Sequence, residues 1–129
     1  MTDPETPIRV LLVEDSDVYR ESLMFLLRRV ADLDVVGAVA SGTAAVPACR
    51  EHQPDVVVLD YRLPDVDGAE IATELRERCP GVEVVFLSAS AGADEYDAAS
   101  SAGAALVRKD EGVDALVSAV RAAARRRRE

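Results

Sequence analysis

Five short apolar runs, separated by polar or amphipathic stretches, constrain the fold of this chain more than any other feature. The runs are continuous rather than alternating and are rich in Val, Leu and Ile, which is typical of strands covered on both faces in a parallel sheet. They lie at residues 8–13, 35–39, 56–59, 82–87 and 104–107. Each run is therefore predicted to be a strand of one buried sheet.

Helical patterns lie between these runs. Two apolar stripes recur at steps of three and four residues, as one face of a helix does. They comprise Tyr19, Leu23, Leu26, Leu27 and Val30, and Val113, Leu116, Val117 and Val120. Ser16 and Ser41 stand where helix N-caps are expected. A strand followed by a helix, repeated five times, predicts an α/β domain with a doubly wound parallel sheet.

Length and charge limit the classes of function. The 129 residues fit a single domain, and 24 acidic against 15 basic side chains give a formal net charge of -9. Such a surface repels the phosphates of nucleic acid, so we expect no DNA binding by this chain alone. Cys49 and Cys79 match neither a CxxC redox pair nor a zinc-ligand spacing, which favours a reducing cytoplasm. No apolar run approaches the roughly 18 residues that span a bilayer, so no membrane association is expected.

The two ends of the chain differ in composition from the domain predicted at residues 8–124. Residues 1–7 hold two prolines and two acids, lack the apolar core of a signal peptide, and are predicted to be a disordered tail. Residues 125–129 contain four consecutive arginines. Cations are favoured at the carboxyl end of a helix, so this run is interpreted as a solvated helix end, or as the start of a linker to an output domain outside this chain.

Charged and polar residues follow four of the five apolar runs. Glu14 and Asp15 follow the first, Asp60 the third and Ser88 the fourth, and Lys109 comes two residues after the fifth. In a doubly wound sheet, ligands bind beyond the carboxyl ends of the strands, where the strand order reverses. The sequence thus predicts three carboxylates, one hydroxyl and one ammonium at a single edge.

This set of groups suits phosphoryl transfer. Clustered carboxylates repel one another unless a cation is present or one takes up a proton, and Mg2+ satisfies them while leaving room for phosphate oxygens. A carboxylate can also attack phosphorus as a nucleophile. Mg2+, Lys109 and Ser88 could each face one oxygen of the transferred group, which is what stabilises such a transfer.

The sequence resembles the response-regulator receiver domains of bacterial two-component systems over roughly residues 8–124. The segments that carry the resemblance are Val13-Glu14-Asp15, Val58-Leu59-Asp60, Leu63-Pro64-Asp65-Val66-Asp67-Gly68, Leu87-Ser88-Ala89 and Lys109. The resemblance implies a CheY-like, flavodoxin-like sandwich with strand order 2-1-3-4-5. It also implies a phosphoprotein that catalyses only its own phosphorylation and dephosphorylation.

By this resemblance each site residue has an expected role. Asp60 is the phosphoacceptor, and Mg2+ is bound directly by Asp15, by Asp60 and by the backbone carbonyl of Arg62, with Glu14 acting through water. Ser88 and Lys109 bind the phosphoryl group. Ser88 is also expected to act in switching with Leu106, which occupies the position where most receivers carry a Tyr or Phe.

The sequence is also similar to the subgroup that usually carries a LuxR/NarL-type helix-turn-helix output domain. The segments that carry this similarity are Val13-Glu14-Asp15-Ser16 through Tyr19-Arg20-Glu21-Ser22-Leu23, Leu26-Leu27 and Val35-Val36-Gly37. The partners implied are a sensor histidine kinase, a second copy of the chain in a possible homodimer, and a covalently attached output domain that controls transcription. Lys109 is followed by Asp110 where many receivers have proline, a departure that this subgroup shares.

Two other functions remain open at this point. A haloacid-dehalogenase-type phosphatase also uses an Asp nucleophile with Mg2+, but it needs a second Asp two residues later, where this chain has Arg62. A pseudo-receiver, which is an interaction module that is not phosphorylated, usually lacks the acceptor, the lysine or the acidic pair. His52, the only histidine, precedes Gln53 and Pro54 and is interpreted as an exposed residue at a helix end rather than a phosphocarrier.

Overall fold

The computed structural model describes residues 6–89 and 92–128, which alternate between strands and helices. The elements are β1 (Ile8–Val13), α1 (Asp17–Arg28), β2 (Leu33–Val39), α2 (Ala45–His52), β3 (Val56–Asp60), α3 (Gly68–Arg78), β4 (Glu83–Ser88), α4 (Ala93–Ser101), β5 (Ala105–Arg108), a short 3-10 turn (Lys109–Glu111) and α5 (Val113–Arg128). All five predicted strands are present.

The strands form one parallel sheet in the order β2-β1-β3-β4-β5, which confirms the predicted fold class. The order reverses between β1 and β3, because the chain first adds β2 on one side of β1 and then places β3 on the other. Val13 at the end of β1 is paired with Leu59, one residue before the end of β3. The residues that follow Val13 and Leu59 therefore meet at the reversal point, where ligands bind in this fold.

Each face of the sheet has its own apolar core. On β1, Leu11 and Val13 pack into the core beneath α2 and α3, whereas Val10 and Leu12 pack into the core beneath α1 and α5. Burial on both faces explains why the apolar runs are continuous. Cys49 lies within the first core and is 1% exposed, consistent with a small apolar packing role.

Some local expectations were wrong. Ser41 is not an N-cap: α2 begins at Ala45, its N-cap is Ala44, and the Ser41 hydroxyl accepts a bond from the Ala44 N–H in the preceding loop. Leu26 is 43% exposed, because Leu23 and Leu27 already fill the side of α1 that faces the core. By contrast, Ser16 caps α1 as predicted, with its side chain accepting a bond from the Tyr19 N–H.

Residues 1–5 of the predicted N-terminal tail and residue 129 lie outside the described residues. The arginines at 125–128 continue α5 rather than leaving it, and Arg126 and Arg127 lie 4.0 and 3.4 Å from carboxylate oxygens of Glu83 and Asp55. Within the described part of the chain, none of the helices is both long enough and apolar enough to cross a membrane.

Candidate functional site

Three carboxylates converge at the carboxyl edge of the sheet. Glu14 follows β1 directly, Asp15 comes next, and Asp60 is the last residue of β3. One oxygen from each lies within 4.8 Å of the others. Glu14 and Asp60 are buried, whereas Asp15 is exposed. The cluster thus has a closed floor and one side open to solvent, so a small ion or a phosphodonor can reach it.

Lys109 supplies a positive charge to this cluster from the turn after β5. Its Nζ lies 2.5 Å from Oε1 of Glu14 and 3.4 Å from Oδ2 of Asp60. Burial by itself would lower the pKa of Lys109, but its hydrogen bond to Glu14 and the charges of Asp60 and Glu14 outweigh burial and raise that pKa above its ordinary value. Lys109 therefore remains a cation across the physiological pH range.

Hydrogen bonds connect the first turn of α1 to the same cluster. The second oxygen of Glu14 accepts a bond from the Ser16 N–H at 3.1 Å, and the Arg20 guanidinium donates to the Glu14 backbone carbonyl at 2.8 Å. Glu14 thus joins β1, α1 and Lys109. Its buried carboxylate has partners at both oxygens, as a buried charge requires.

Tyr19 is a member of the site that the sequence did not reveal as such. The Lys109 Nζ lies 4.3 Å from the centre of the Tyr19 ring, which is the geometry of a cation–π contact. Burial raises the pKa of the Tyr19 hydroxyl, and the positive charge of Lys109 opposes that rise. The sequence places Tyr19 in the apolar stripe of α1 and in the segment similar to the LuxR/NarL subgroup, but gives it no role in the site. Its place one turn after Asp15 is the signal that could have identified it.

Short-range contacts hold the loop after Asp60 in place. Asp60 Oδ1 accepts a bond from the Arg62 N–H at 3.1 Å, and Arg62 pairs with Asp67 in an isolated antiparallel bridge. A Cβ atom at Gly68 would lie 2.6 Å from the Tyr61 carbonyl oxygen, so only glycine allows α3 to begin this close to the loop. The Arg62 carbonyl, which is a predicted metal ligand, belongs to this tightly packed segment.

Ser88 and Leu106 lie on the two strands beyond β3. Ser88 is the last residue of β4, is 1% exposed and is paired with Arg108 on the neighbouring strand β5. Leu106 is half-buried, packs against the core beneath α2 and α3, and is paired with Phe86. Ser88 therefore lies at the same sheet edge as Asp60, whereas Leu106 lies further down the sheet.

Two hydrogen bonds and one ion pair connect the loop after Asp60 to neighbouring elements, and the sequence predicted none of them. The Asp65 carboxylate accepts bonds from the N–H groups of Gly42 and Thr43, both at 3.0 Å, and these bonds lower its pKa. Arg62 forms an ion pair of 2.5 Å with Glu95 on α4. The loop after Asp60 is thus tied both to the start of α2 and to α4.

The donor set suits a hard divalent cation. Carboxylate and carbonyl oxygens are the ligands that Mg2+ prefers, and a site with one or two direct carboxylates leaves positions for water and phosphate. A carboxylate can attack phosphorus, and a neighbouring ammonium can stabilise charge on phosphoryl oxygens. Acceptance of a phosphoryl group by one carboxylate is therefore the chemistry that this arrangement can perform.

Comparison with known proteins agrees with this geometry. The family model of the response regulator receiver domain matches residues 10–121. The chain is 33% identical over 125 residues to the probable transcriptional regulatory protein NarL of Mycobacterium tuberculosis, which covers 93% of this chain and 56% of that protein. It is 34% identical over 110 residues to a protein-glutamate methylesterase/protein-glutamine glutaminase of Nitrosospira multiformis, which covers 82% of this chain and 31% of that protein.

A solved structure shows the same arrangement of elements. The signal receiver domain of the response regulator NarL from Mycobacterium tuberculosis superimposes with a TM-score of 0.85 at 32% identity, covering 93% of this chain and 98% of that one. The chain thus spans less than two thirds of the full-length relatives but nearly all of an isolated receiver domain. This chain belongs to the response regulator receiver domain family, whose function is to accept a phosphoryl group in two-component signalling.

Proposed function

We propose that Asp60 is the residue that accepts the phosphoryl group, and that a sensor histidine kinase supplies it. The observation that carries this proposal is the position of Asp60 at the closed floor of the carboxylate cluster, with the Lys109 ammonium 3.4 Å from one of its oxygens. Asp15 and Glu14 provide the two further carboxylates. Asp60 ends the central strand β3, so it lies between the acidic pair that follows β1 and Ser88 at the end of β4.

The proposed reaction forms one bond and breaks one bond. An oxygen of the Asp60 carboxylate attacks the phosphorus of a phosphohistidine, the phosphorus–nitrogen bond breaks, and its electron pair stays with the imidazole of the kinase. The product is an acyl phosphate on Asp60. In this step, Lys109 and the Ser88 hydroxyl bind phosphoryl oxygens and neutralise the charge that spreads over them.

Mg2+ is the proposed cofactor. Asp15, Asp60 and the Arg62 carbonyl would hold it directly and Glu14 through water, which accords with the exposure of Asp15 and the full burial of Glu14. When bound, the ion would screen the carboxylates from one another and neutralise phosphoryl oxygens.

The proposed activity does not extend to turnover of other phosphoesters. A phosphatase of the haloacid-dehalogenase type needs an acid two residues after its nucleophile, and here Arg62 occupies that position with its side chain paired with Glu95. A guanidinium stays protonated and cannot act as a general acid and base. We therefore expect the chain to catalyse only its own phosphorylation and dephosphorylation.

The proposed biological setting follows the relatives. A receiver domain at 8–124 would control an output, and the similarity to a transcriptional regulatory protein favours a covalently attached helix-turn-helix domain. A homodimer is proposed as the form in which such an output would act. The cytoplasm, where ATP supplies the phosphoryl groups of kinases, is the proposed location.

Labelling of Asp60 tests the proposed function. The chain is incubated with acetyl phosphate and Mg2+, and intact-protein mass spectrometry should show the addition of one phosphoryl group. Asp60→Asn should abolish the addition, whereas Asp67→Asn, which alters a nearby acid outside the cluster, should retain it. Equal labelling of Asp60→Asn and the unmutated chain would refute the assignment of Asp60. Release of p-nitrophenol from p-nitrophenyl phosphate in many turnovers would favour the phosphatase instead.

A further inference from the structure

We propose that Tyr19 is a positioning residue for phosphoryl transfer, because its ring holds the Lys109 ammonium against the carboxylate cluster. This inference rests on the proposed function and goes beyond it, since it gives a role to a side chain of α1 that contacts none of the reacting atoms. Three observations support it: the placement of the ring relative to the ammonium, the anchoring of Tyr19 itself, and a cavity beside the lysine.

The ammonium of Lys109 lies between carboxylates and an aromatic face. Its Nζ is 2.5 Å from Glu14, 3.4 Å from Asp60 and 4.3 Å from the centre of the Tyr19 ring. The face of an aromatic ring carries partial negative charge and attracts a cation. The ring therefore covers the lysine with a surface that attracts its charge but does not compete for its hydrogen bonds to the acids.

Tyr19 is held in place independently of Lys109. Its backbone N–H donates to the Ser16 hydroxyl in the first turn of α1, and the Ser16 N–H in turn donates to Glu14. Its ring also packs against the core beneath α1 and α5. The ring is thus fixed relative to Glu14, and it can fix the lysine in turn.

Lys109 has space to move if the ring is removed. A cavity of about 180 Å³ lies between α1, the turn after β5 and the start of α5, and is lined by Tyr19, Leu26, Leu87, Lys109 and Val113 among others. Long lysine side chains lose considerable rotamer freedom when they are ordered. Without the ring, the lysine stem could enter this space, and the ammonium would be found less often at the position that a phosphoryl oxygen requires.

The contact also suits the change that phosphorylation brings. When Asp60 becomes an acyl phosphate, Lys109 must exchange a carboxylate oxygen for a phosphoryl oxygen a short distance away. A hydrogen bond is directional and would have to be broken for this movement. Attraction to a ring face tolerates a small sliding movement, so Tyr19 can hold the ammonium in both states.

Two substitutions separate this role from simple packing. Tyr19→Phe keeps the aromatic face and removes only the hydroxyl, whereas Tyr19→Leu keeps an apolar side chain and removes the aromatic face. Tyr96→Leu, at an exposed tyrosine on α4, is the matched control. The initial rate of Asp60 labelling by acetyl phosphate with Mg2+ is measured for each by intact-protein mass spectrometry, and the thermal midpoint shows whether each variant remains folded.

We expect Tyr19→Phe and Tyr96→Leu to label at the rate of the unmutated chain and Tyr19→Leu to label roughly two- to fivefold more slowly, the factor that a partly exposed cation–π contact represents. Equal rates for Tyr19→Phe and Tyr19→Leu would overturn the proposal. A slow Tyr19→Phe would also overturn it, because the hydroxyl rather than the ring face would then be responsible.

The chemical shifts of the Lys109 side chain give a readout that does not depend on labelling. Protons held above the face of an aromatic ring are shifted upfield by its ring current, so the NMR signals of the Lys109 ε-methylene should lie upfield in the unmutated chain and in Tyr19→Phe, and should return to ordinary values in Tyr19→Leu. Ordinary values in the unmutated chain would overturn the proposed contact even if labelling differed. If the unmutated chain is not labelled at Asp60, the proposed function fails; an upfield shift lost only in Tyr19→Leu would then support the contact alone and overturn its role in transfer.

Discussion

Glu14 and Asp15 are neighbours in the sequence but have opposite surroundings. Glu14 is fully buried, and its two oxygens are bonded to Lys109 and to the Ser16 N–H, whereas Asp15 is exposed at the open side of the cluster. Of these two neighbours, Asp15 is the acid that a hydrated ion can reach from solvent, because Glu14 is enclosed by its partners. The geometry therefore gives a physical reason for the ranking that the family resemblance implied, in which Asp15 binds Mg2+ directly and Glu14 does so through water.

Substitution of these two acids should affect Mg2+ binding unequally. We expect Asp15→Asn to lose most of its Mg2+ affinity because it removes a direct, charged ligand. Glu14→Gln should retain more affinity, since an amide can still bond to water. Calorimetric titration with MgCl2 measures both, and Asp17→Asn, which alters an exposed acid of α1, is the control. Equal losses in Asp15→Asn and Glu14→Gln would contradict the ranking.

Asp65 should make stability depend on pH. Its bonds from the Gly42 and Thr43 N–H groups lower its pKa in the folded state, so the ionised carboxylate stabilises that state above about pH 4, the ordinary value for Asp. This stabilisation is lost as the pH falls through the lowered pKa. Urea unfolding at pH 7 and at pH 3 should show a smaller acid-induced loss for Asp65→Asn than for the unmutated chain. An identical loss would show that these bonds do not contribute.

At the scale of elements, the sequence predicted every strand but not every end. The apolar runs identified the strands because both faces of each are buried. The apolar pattern predicts that β2 begins at residue 35 rather than at Leu33, because Asp34 interrupts the apolar run. In the structure, backbone pairing with β1 extends past that charge, with Leu33 opposite Ile8. Such pairing depends on the partner strand and is not visible in a local pattern.

In the site, too, the sequence predicts the features that follow from topology but not those that depend on contacts between elements. Glu14, Asp15, Asp60 and Lys109 could be grouped from the sequence, since the topology brings the carboxyl ends of the strands to one edge. The contacts of Tyr19 with Lys109 and of Arg62 with Glu95 could not be predicted, because they depend on how α1 and α4 are oriented against the sheet.

Leu106 on β5 leads to a prediction about switching. A leucine has no hydroxyl and a smaller side chain than the aromatic residue usual at this position, so its inward and outward positions should differ less in interaction energy. Phosphorylation cannot shift the population of states by more than such a difference allows. We therefore expect normal labelling of Asp60 but a limited rearrangement of α4, β5 and α5. Amide chemical shifts with and without beryllofluoride, a phosphoryl mimic, measure that rearrangement.

The control for this prediction is Leu106→Ala. If Leu106 limits the response, the amide shift changes that beryllofluoride causes across residues 92–124 should be small in the unmutated chain. Those shift changes should differ in the Leu106→Ala variant. Large shifts that Leu106→Ala leaves undiminished would show that switching bypasses this position.

At the scale of the whole molecule, the negative net charge should prevent the basic run at the end of α5 from binding DNA. The chain carries a formal charge of -9, and Arg126 and Arg127 already lie near the carboxylates of Glu83 and Asp55. We expect no binding to a random DNA duplex at about 150 mM salt, because too few phosphates would be neutralised. Fluorescence anisotropy of a labelled duplex measures this. Salt-sensitive binding that disappears when the arginines at 125–128 are changed to serine would contradict the prediction.

The direction of α5 has a further consequence for long-range communication. Its first turn lies near the carboxyl edge of the sheet, and its last turn reaches the opposite edge, where Asp55 directly precedes β3 and Glu83 is the first residue of β4. Sixteen residues of helix are about 24 Å long. Any polypeptide joined after α5 would therefore leave from the end of the molecule opposite Asp60, the proposed phosphoryl acceptor. To receive the signal, it would have to fold back along the helix or bind to a face whose shape had changed.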